Sequence, residues 1–244
     1  MKLLKLNFII VLLISFLFTS CKKDNVCIEG EGTVTTQTLS VPNFTGISSN
    51  GVNDIVIVQG SNQVVTATGH PNIINLIETD VSNGIWDIEL EDGCYEDYEL
   101  TFLITTPNIE KVEINGVGKI EINDFENQGD FEVEINGAGN VELNSFTGTE
   151  NFDIKTYGVG KIIGNADFPD LKKLDITVKG SGDFEGFPII TQECNIDIEG
   201  SGNCEVNVTD KLDIKISGSG NVYYKGNPTI TTDISGTGIL IDEN

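Results

Sequence analysis

The chain contains no arginine, and its 14 lysines stand against 38 aspartates and glutamates, a formal net charge of −24 over 244 residues. Arginine is the side chain that clamps phosphates and carboxylates in a bidentate fork, so recognition of that kind is excluded. A chain this acidic is repelled by nucleic acid and by anionic lipid, so no nucleic-acid partner is expected. Histidine occurs once, at His70 before Pro71, which rules out a His-rich metal site and reads as a solvated loop residue. The five cysteines match no zinc spacing, and no nucleophile-elbow signature is present. Apart from the N-terminus, no stretch approaches the ~20 apolar residues of a spanning helix. Nor does the rest of the chain sustain a helical period.

What is present is a repeat. Gly-x-Gly returns with first glycines at Gly116, Gly137, Gly158, Gly180, Gly200, Gly218 and Gly236, at intervals of 21, 21, 22, 20, 18 and 18 residues. The second glycines are Gly118, Gly139, Gly160, Gly182, Gly202, Gly220 and Gly238. Each copy alternates apolar and polar with period 2 and reads as strand. Aligned on the glycines, the copies form columns. Four residues before the first glycine stand Val112, Val133, Ile154, Ile176, Ile196, Ile214 and Thr232, and two after the second stand Ile120, Val141, Ile162, Phe184, Cys204, Val222 and Leu240. One copy cannot bury its apolar side alone, whereas stacked copies bury a continuous core.

The fold class expected is therefore all-β: a single-stranded right-handed parallel β-solenoid (β-helix) with coils of 18–22 residues and an irregular β N-terminal region. An antiparallel barrel or sandwich is the rival, but two-residue hairpin signals are scarce. The glycines fall on the inward parity, where a side chain would block a sharp corner and where Gly reaches φ > 0 at little cost. Ile47, Ser49, Gly51, Asn53, Ile55 and Ile57 form a degenerate eighth copy, with Asn, another residue tolerant of the left-handed region, as its second glycine.

In chain order, residues 1–20 form a charged start (Lys2, Lys5), an apolar run from Leu6 to Phe18 and small residues before Cys21, the pattern of a secretory signal. Cys21, followed by Lys22, Lys23 and Asp24, resembles the lipid-modified first residue of a bacterial lipoprotein, so lipidation at Cys21 and a membrane partner through the anchor are expected. Ordinary secretion with Cys21 incidental, or an uncleaved anchor, is the other reading. Without the leader, 12 lysines face 38 acids, a charge of −26. Residues 21–32 read as a tether. Residues 33–110 read as an irregular β region with candidate strands Thr33–Leu39, Val52–Gln59, Gln63–Thr68, Ile85–Leu90 and Glu99–Thr105, plus one helical turn after Pro71. Whether this region is a cap or a set of eroded coils is left open. Residues 111–244 carry the clean repeats.

Four cysteines follow Cys21. Cys194 and Cys204 fall in different apolar columns and read as small core residues, and Cys27 with Cys94 is the favoured disulfide. No enzyme is expected. Lyases of β-helical shape resemble one another in using Arg or Lys beside calcium-binding acids; this chain has no Arg, and its acids are too many to single out a catalytic pair. A phosphate-loop reading fails because each glycine pair opens a strand, not a helix. No cofactor is expected, with one ionic feature to test. Glu132, Asp153, Asp175, Asn195 and Asp213 stand five before the first glycine, outward by parity. Carboxylates stacked at ~4.8 Å would repel by just under ~1 kcal/mol per pair. A calcium ion on Glu132, Asp153, Asp175 and Asp213 would relieve that repulsion. Aromatics read as outward include Tyr157 and Tyr223, with Trp86, Tyr95 and Tyr98 in the N-terminal region.

Phe44-Thr45-Gly46-Ile47, the run Asp54–Gln59 before Gly60, Leu76-Ile77-Glu78-Thr79 and the serial Gly-x-Gly copies together resemble the head GIN domain family (DUF2807), exported Bacteroidetes-type lipoproteins of auto-transporter-adhesin type. The resemblance covers residues 27–242. It implies a β-solenoid at the cell envelope, an outer-membrane lipoprotein with a protein or glycan ligand, and an adhesion role. It brings no catalytic residues. A structural envelope spacer is the second reading, and a polysaccharide-active enzyme the third.

Overall fold

The computed structural model describes residues 27–244; the expected leader 1–20, Cys21 and the first part of the tether lie outside them. The described chain is nearly all β, with 2% helix, and its regular part is a β-solenoid of about six turns whose coils lie about 21 residues apart. Strand pairing is parallel and in register, which rules out the antiparallel barrel. On one side Val112 stacks on Val133, Val133 on Ile154, Ile154 on Ile176, and so through Ile196 and Ile214 to Thr232. On the next side Ile120 stacks on Val141, then Ile162, Phe184, Cys204, Val222 and Leu240. The columns written in the sequence are physical stacks, and all of them except their last members are buried.

A third column closes the coil. Phe125 and Phe146 form a parallel bridge, with ring centroids 5.8 Å apart. Phe146 also meets Phe131 at 5.2 Å and Phe168 at 4.8 Å. These rings fill the interior, which is a packed core and not a channel.

The N-terminal region is both coil and cap. The strands Gly46–Ser49 and Val52–Gln59 pair upward with Lys111–Ile114 and Val117–Asn123, and downward with Ile85–Ile88 and Leu100–Thr106. The first coil in the chain is therefore the second in the stack. After building the bottom coil, the chain returns over the first coil to continue upward. Beneath the bottom coil the pairing turns antiparallel: Val64–Gly69 lies against Leu100–Thr106, and Thr35–Leu39 against Val64–Gly69. This pair covers an edge that would otherwise recruit another strand. The expected helical turn is Pro71–Ile74, which buries Ile73 and Ile74. Trp86, read as outward from the sequence, is fully buried between Phe44 and Phe102, with Nε1 donating to the Glu78 carbonyl at 3.0 Å.

The corner glycines serve a different purpose from the one expected. Among the 14 corner glycines only Gly118 has a positive φ, 130°. The others are required by proximity to the coil beneath. A Cβ on Gly137, Gly158, Gly200, Gly218 or Gly236 would overlap the carbonyl oxygen of the first glycine one coil below. The same rule explains Asn53. It does not have a positive φ, and the corner it belongs to has no glycine corner beneath it, so a side chain fits.

Candidate functional site

Two files of outward side chains run up the first side of the solenoid. One is Lys111, Glu132, Asp153, Asp175, Asn195, Asp213 and Thr231; the other, two residues along each strand, is Glu113, Glu134, Lys155, Thr177, Asp197, Lys215 and Asp233. The expected acidic ladder is thus assembled in register, but lysines neutralise it. Lys111 Nζ lies 2.8 Å from Glu132, and Lys155 Nζ lies 2.9 Å from both Glu132 and Asp153. Lys173 pairs with Asp175, Lys211 with Asp213, and Asn195 Nδ2 donates to Asp175 Oδ1 at 2.6 Å. The repulsion on which the calcium expectation for Glu132, Asp153, Asp175 and Asp213 rests is relieved at these positions by ammonium groups. Among the described residues no cluster of three or more acidic, His or Cys side chains converges on a metal position.

Burial works against the Glu132 carboxylate, but hydrogen bonds from Lys111 and Lys155 overcome it and hold the group below the usual carboxylate range. Asp213 is likewise held low, chiefly by the hydrogen bond from Lys211. Carboxylates held ionised in this way are poor general acids.

Toward the C-terminal end the two files border an open groove of about 420 Å³. Its polar lining is Asp175, Asn195, Asp213 and Thr231 from one file and Thr177, Asp197, Lys215 and Asp233 from the other. Lys215 Nζ reaches Asp197 Oδ2 at 2.9 Å, while Asp197 Oδ1 is buried without a partner among the described residues. The groove offers carboxylate and amide acceptors, hydroxyls and an ammonium group, repeated coil upon coil. Such a surface can bind hydroxyl-rich or polar polymers by many weak contacts.

A third polar file lies at the corners. The residue after the second glycine bonds the backbone of the coil above: Asn140 Oδ1 accepts from Lys161 N at 2.9 Å, Asp183 Oδ1 from Asn203 N at 2.8 Å, and Asn203 Oδ1 from Asn221 N at 3.0 Å. Its signal is the Asn or Asp recurring at that position in Asn140, Asp183, Asn203 and Asn221. It is a structural ladder that ties each coil to the next.

Cys27 and Cys94 are joined as a disulfide with Cα atoms 4.5 Å apart. Ile28–Glu29 continues from it as a strand parallel to Tyr95–Glu96, so ordered pairing starts inside the expected tether. Cys194 and Cys204 are free and buried, and burial pushes both thiols up. His70 Nδ1 lies 3.0 Å from the Gly32 carbonyl. Tyr157 is exposed and Tyr223 half-buried, in different files.

These features define the class: a parallel β-solenoid stacked on close-approach glycine corners, with a laddered polar face. Residues 43–228 match the family described as "Putative auto-transporter adhesin, head GIN domain" (DUF2807), and the chain belongs to that family. Several solved structures share the fold, three of which follow. A "putative adhesin" from Bacteroides fragilis has a TM-score of 0.79 and 22% identity, covering 88% of this chain and 99% of that one. A "putative adhesin" from Parabacteroides merdae has 0.68 and 20%, covering 89% and 99%. A "putative lipid binding protein" from Parabacteroides distasonis has 0.75 and 22%, covering 89% and 99%. No curated protein matches the chain. The family and the Bacteroides fragilis neighbour are named as adhesins, not as enzymes.

Proposed function

We propose that this protein is an exported, lipid-anchored, non-catalytic adhesion module of the cell envelope that binds a polar polymer along the laddered face. The observation that carries this reading is the groove from Asp175 to Asp233, where like groups repeat in register over successive coils. Repetition favours a ligand that repeats too, and a glycan supplies hydroxyls at regular intervals to acceptors such as Asp197 and Asn195. The family's adhesin description supports the binding role and an extracellular or envelope-associated location. The lipid-binding name of the Parabacteroides distasonis neighbour does not extend naturally to this chain, because the described interior is filled by Phe125, Phe146, Phe168 and the isoleucine columns. Lipidation at Cys21 would hold the molecule on a membrane with the rod in solution.

The test is protease shaving of intact cells followed by blotting, with a glycan array on the purified protein. Loss of the cell-associated band, with glycan binding weakened by Asp197→Asn and Lys215→Ala, is the expected result. Protection until lysis would remove the adhesin reading and favour a periplasm-facing structural spacer. A Cys21→Ser variant that still partitions with membranes would remove the anchor.

A further inference from the structure

The glycine file ends at Gly51 and Asn53, and below that corner the coil changes. Between Ile88 and Leu100 the bottom coil has no Gly-x-Gly corner; it runs out instead through the disulfide-held loop 89–99. The three atoms nearest an added Cβ on Gly51 all belong to the Asn53 side chain, the closest at 3.2 Å, whereas at Gly116 the nearest are backbone atoms of Gly51. The space where another corner would stack is a hollow of about 240 Å³. At ~30 Å³ per water, such a volume admits about eight non-hydrogen atoms.

The lining is chemically one-sided. Ile88, Leu100 and Phe102 form an apolar floor, and Glu89, Glu91 and Asp92 stand on the rim. Tyr95 and Tyr98 form two walls, with ring centroids 6.1 Å apart and planes at 72°, and the Tyr95 hydroxyl is held by the Glu91 carbonyl. Asn53 also lines the hollow and is only 6% exposed. Its Nδ2 donates to Ser49 Oγ at 3.1 Å, and its Oδ1 has no partner among the described residues. Oδ1 is not among the buried unpartnered atoms, so it is an acceptor open to water and free to take a donor bound in the hollow.

No cation of the described chain answers this lining. From residue 24 to residue 110 there is no lysine or arginine, and every ion pair among the described residues involves a lysine between Lys111 and Lys215. Glu78, beside the rim, is held above the usual carboxylate range by burial and by Glu89, Asp80, Glu91 and Asp92. No metal position is formed there either.

We infer that the hollow beneath the Gly51–Asn53 corner binds a primary alkylammonium group, whether a free amine or the end of a lysine side chain. Its three N–H donors meet Asn53 Oδ1 and the rim carboxylates, its charge faces the two tyrosine rings, and its short stem lies on Leu100 and Phe102. The site is separate from the laddered face and stands or falls independently of it.

The test is an NMR titration of the isotope-labelled full chain with butylammonium, with butanol as the neutral isostere and tetramethylammonium as a cation lacking N–H. Butylammonium is expected to shift the amides of residues 89–98 with a Kd of about 1 mM, the range of a single small cation. Glu91→Gln and Asn53→Gly are each expected to weaken it about fivefold or more, the size of one lost charge or hydrogen bond. Asn53→Gly places at this corner the residue every regular corner has, so its fold is secure. No shift with butylammonium, equal shifts with butanol, or equal affinity for tetramethylammonium would each overturn the assignment.

Discussion

Replacing Gly158 by alanine isolates the force that sets the corner. A Cβ there would overlap the Gly137 carbonyl oxygen and lie 2.8 Å from its carbon. Carbon atoms in contact rest at ~3.5 Å or more, so the two coils must part locally by about 1 Å. Two hydrogen bonds span that gap, Val159 N to Gly137 O at 3.0 Å and Gly158 N to Ile135 O at 3.1 Å. Stretched by an ångström, both pass out of hydrogen-bonding range. At about 1 kcal/mol net for each bond, plus residual strain, the loss is about 2–3 kcal/mol. For a domain of this size that lowers Tm by about 5–10 °C. The control is Gly129→Ala, where an added Cβ has nothing within 4 Å and φ is not positive. It should be neutral or slightly stabilising, because alanine restricts the unfolded chain. Melts followed by circular dichroism under non-reducing conditions make the comparison. If the two variants melt together, close approach between coils is not what requires the glycine, and the account given for Asn53 fails with it.

Phe146→Ala empties the centre of the third column, where three rings meet, and should cost about 3–5 kcal/mol in a denaturant titration. Cys27→Ser opens a covalent loop with a sequence separation of 67 and should cost about 4 kcal/mol by the same assay. Two carboxylates should respond to pH in opposite senses. The Glu132 carboxyl is depressed in the folded protein, so its stabilisation is present above the ordinary value of 4.5 and is lost as pH falls through the lower folded value. Glu132→Gln should therefore lower Tm at pH ~7, by about 0.5–1 kcal/mol equivalent, and the gap should close in acid. Glu78 is raised, so it destabilises above its folded value. Glu78→Gln should raise Tm near neutrality, with the gain vanishing as pH falls to 4.5.

The regular coils could be read from the sequence because in-register parallel stacking places like residues on like residues. Val133, Ile154 and Ile176 line up on the page as they do in space. Where that equivalence breaks, so did the reading. Phe125, Phe146 and Phe168 stand nine, nine and ten residues after Gly116, Gly137 and Gly158, beyond the alternating strands, so strand parity does not point to them. Residues 27–110 resist alignment because stack order departs from chain order and an antiparallel pair ends the rod. Trp86 was assigned outward because no neighbouring copy fixed its parity. The acidic file on the candidate face was legible, but its lysine partners were not. Lys155 and Lys173 reach it from another file or another strand position, a relation that only the coil geometry supplies.

The disulfide has a mechanical meaning. Tension applied at Cys27 crosses the bond directly to Cys94, so the covalent load path bypasses residues 28–93. The antiparallel cap and the first coil, Gly46–Gln59, are then held in a slack loop while force runs from Cys94 toward the C-terminus. A pull between Cys27 and the far end loads Leu100–Thr106 and the last strands alike, but Leu100–Thr106 is paired on both sides and the last strands on one. The terminal strands Thr229–Ile234 and Leu240–Asp242, each paired to the coil below, would come away one coil at a time. The disulfide-closed end has the denser pairing, and the rod can lengthen by shedding coils from the other end.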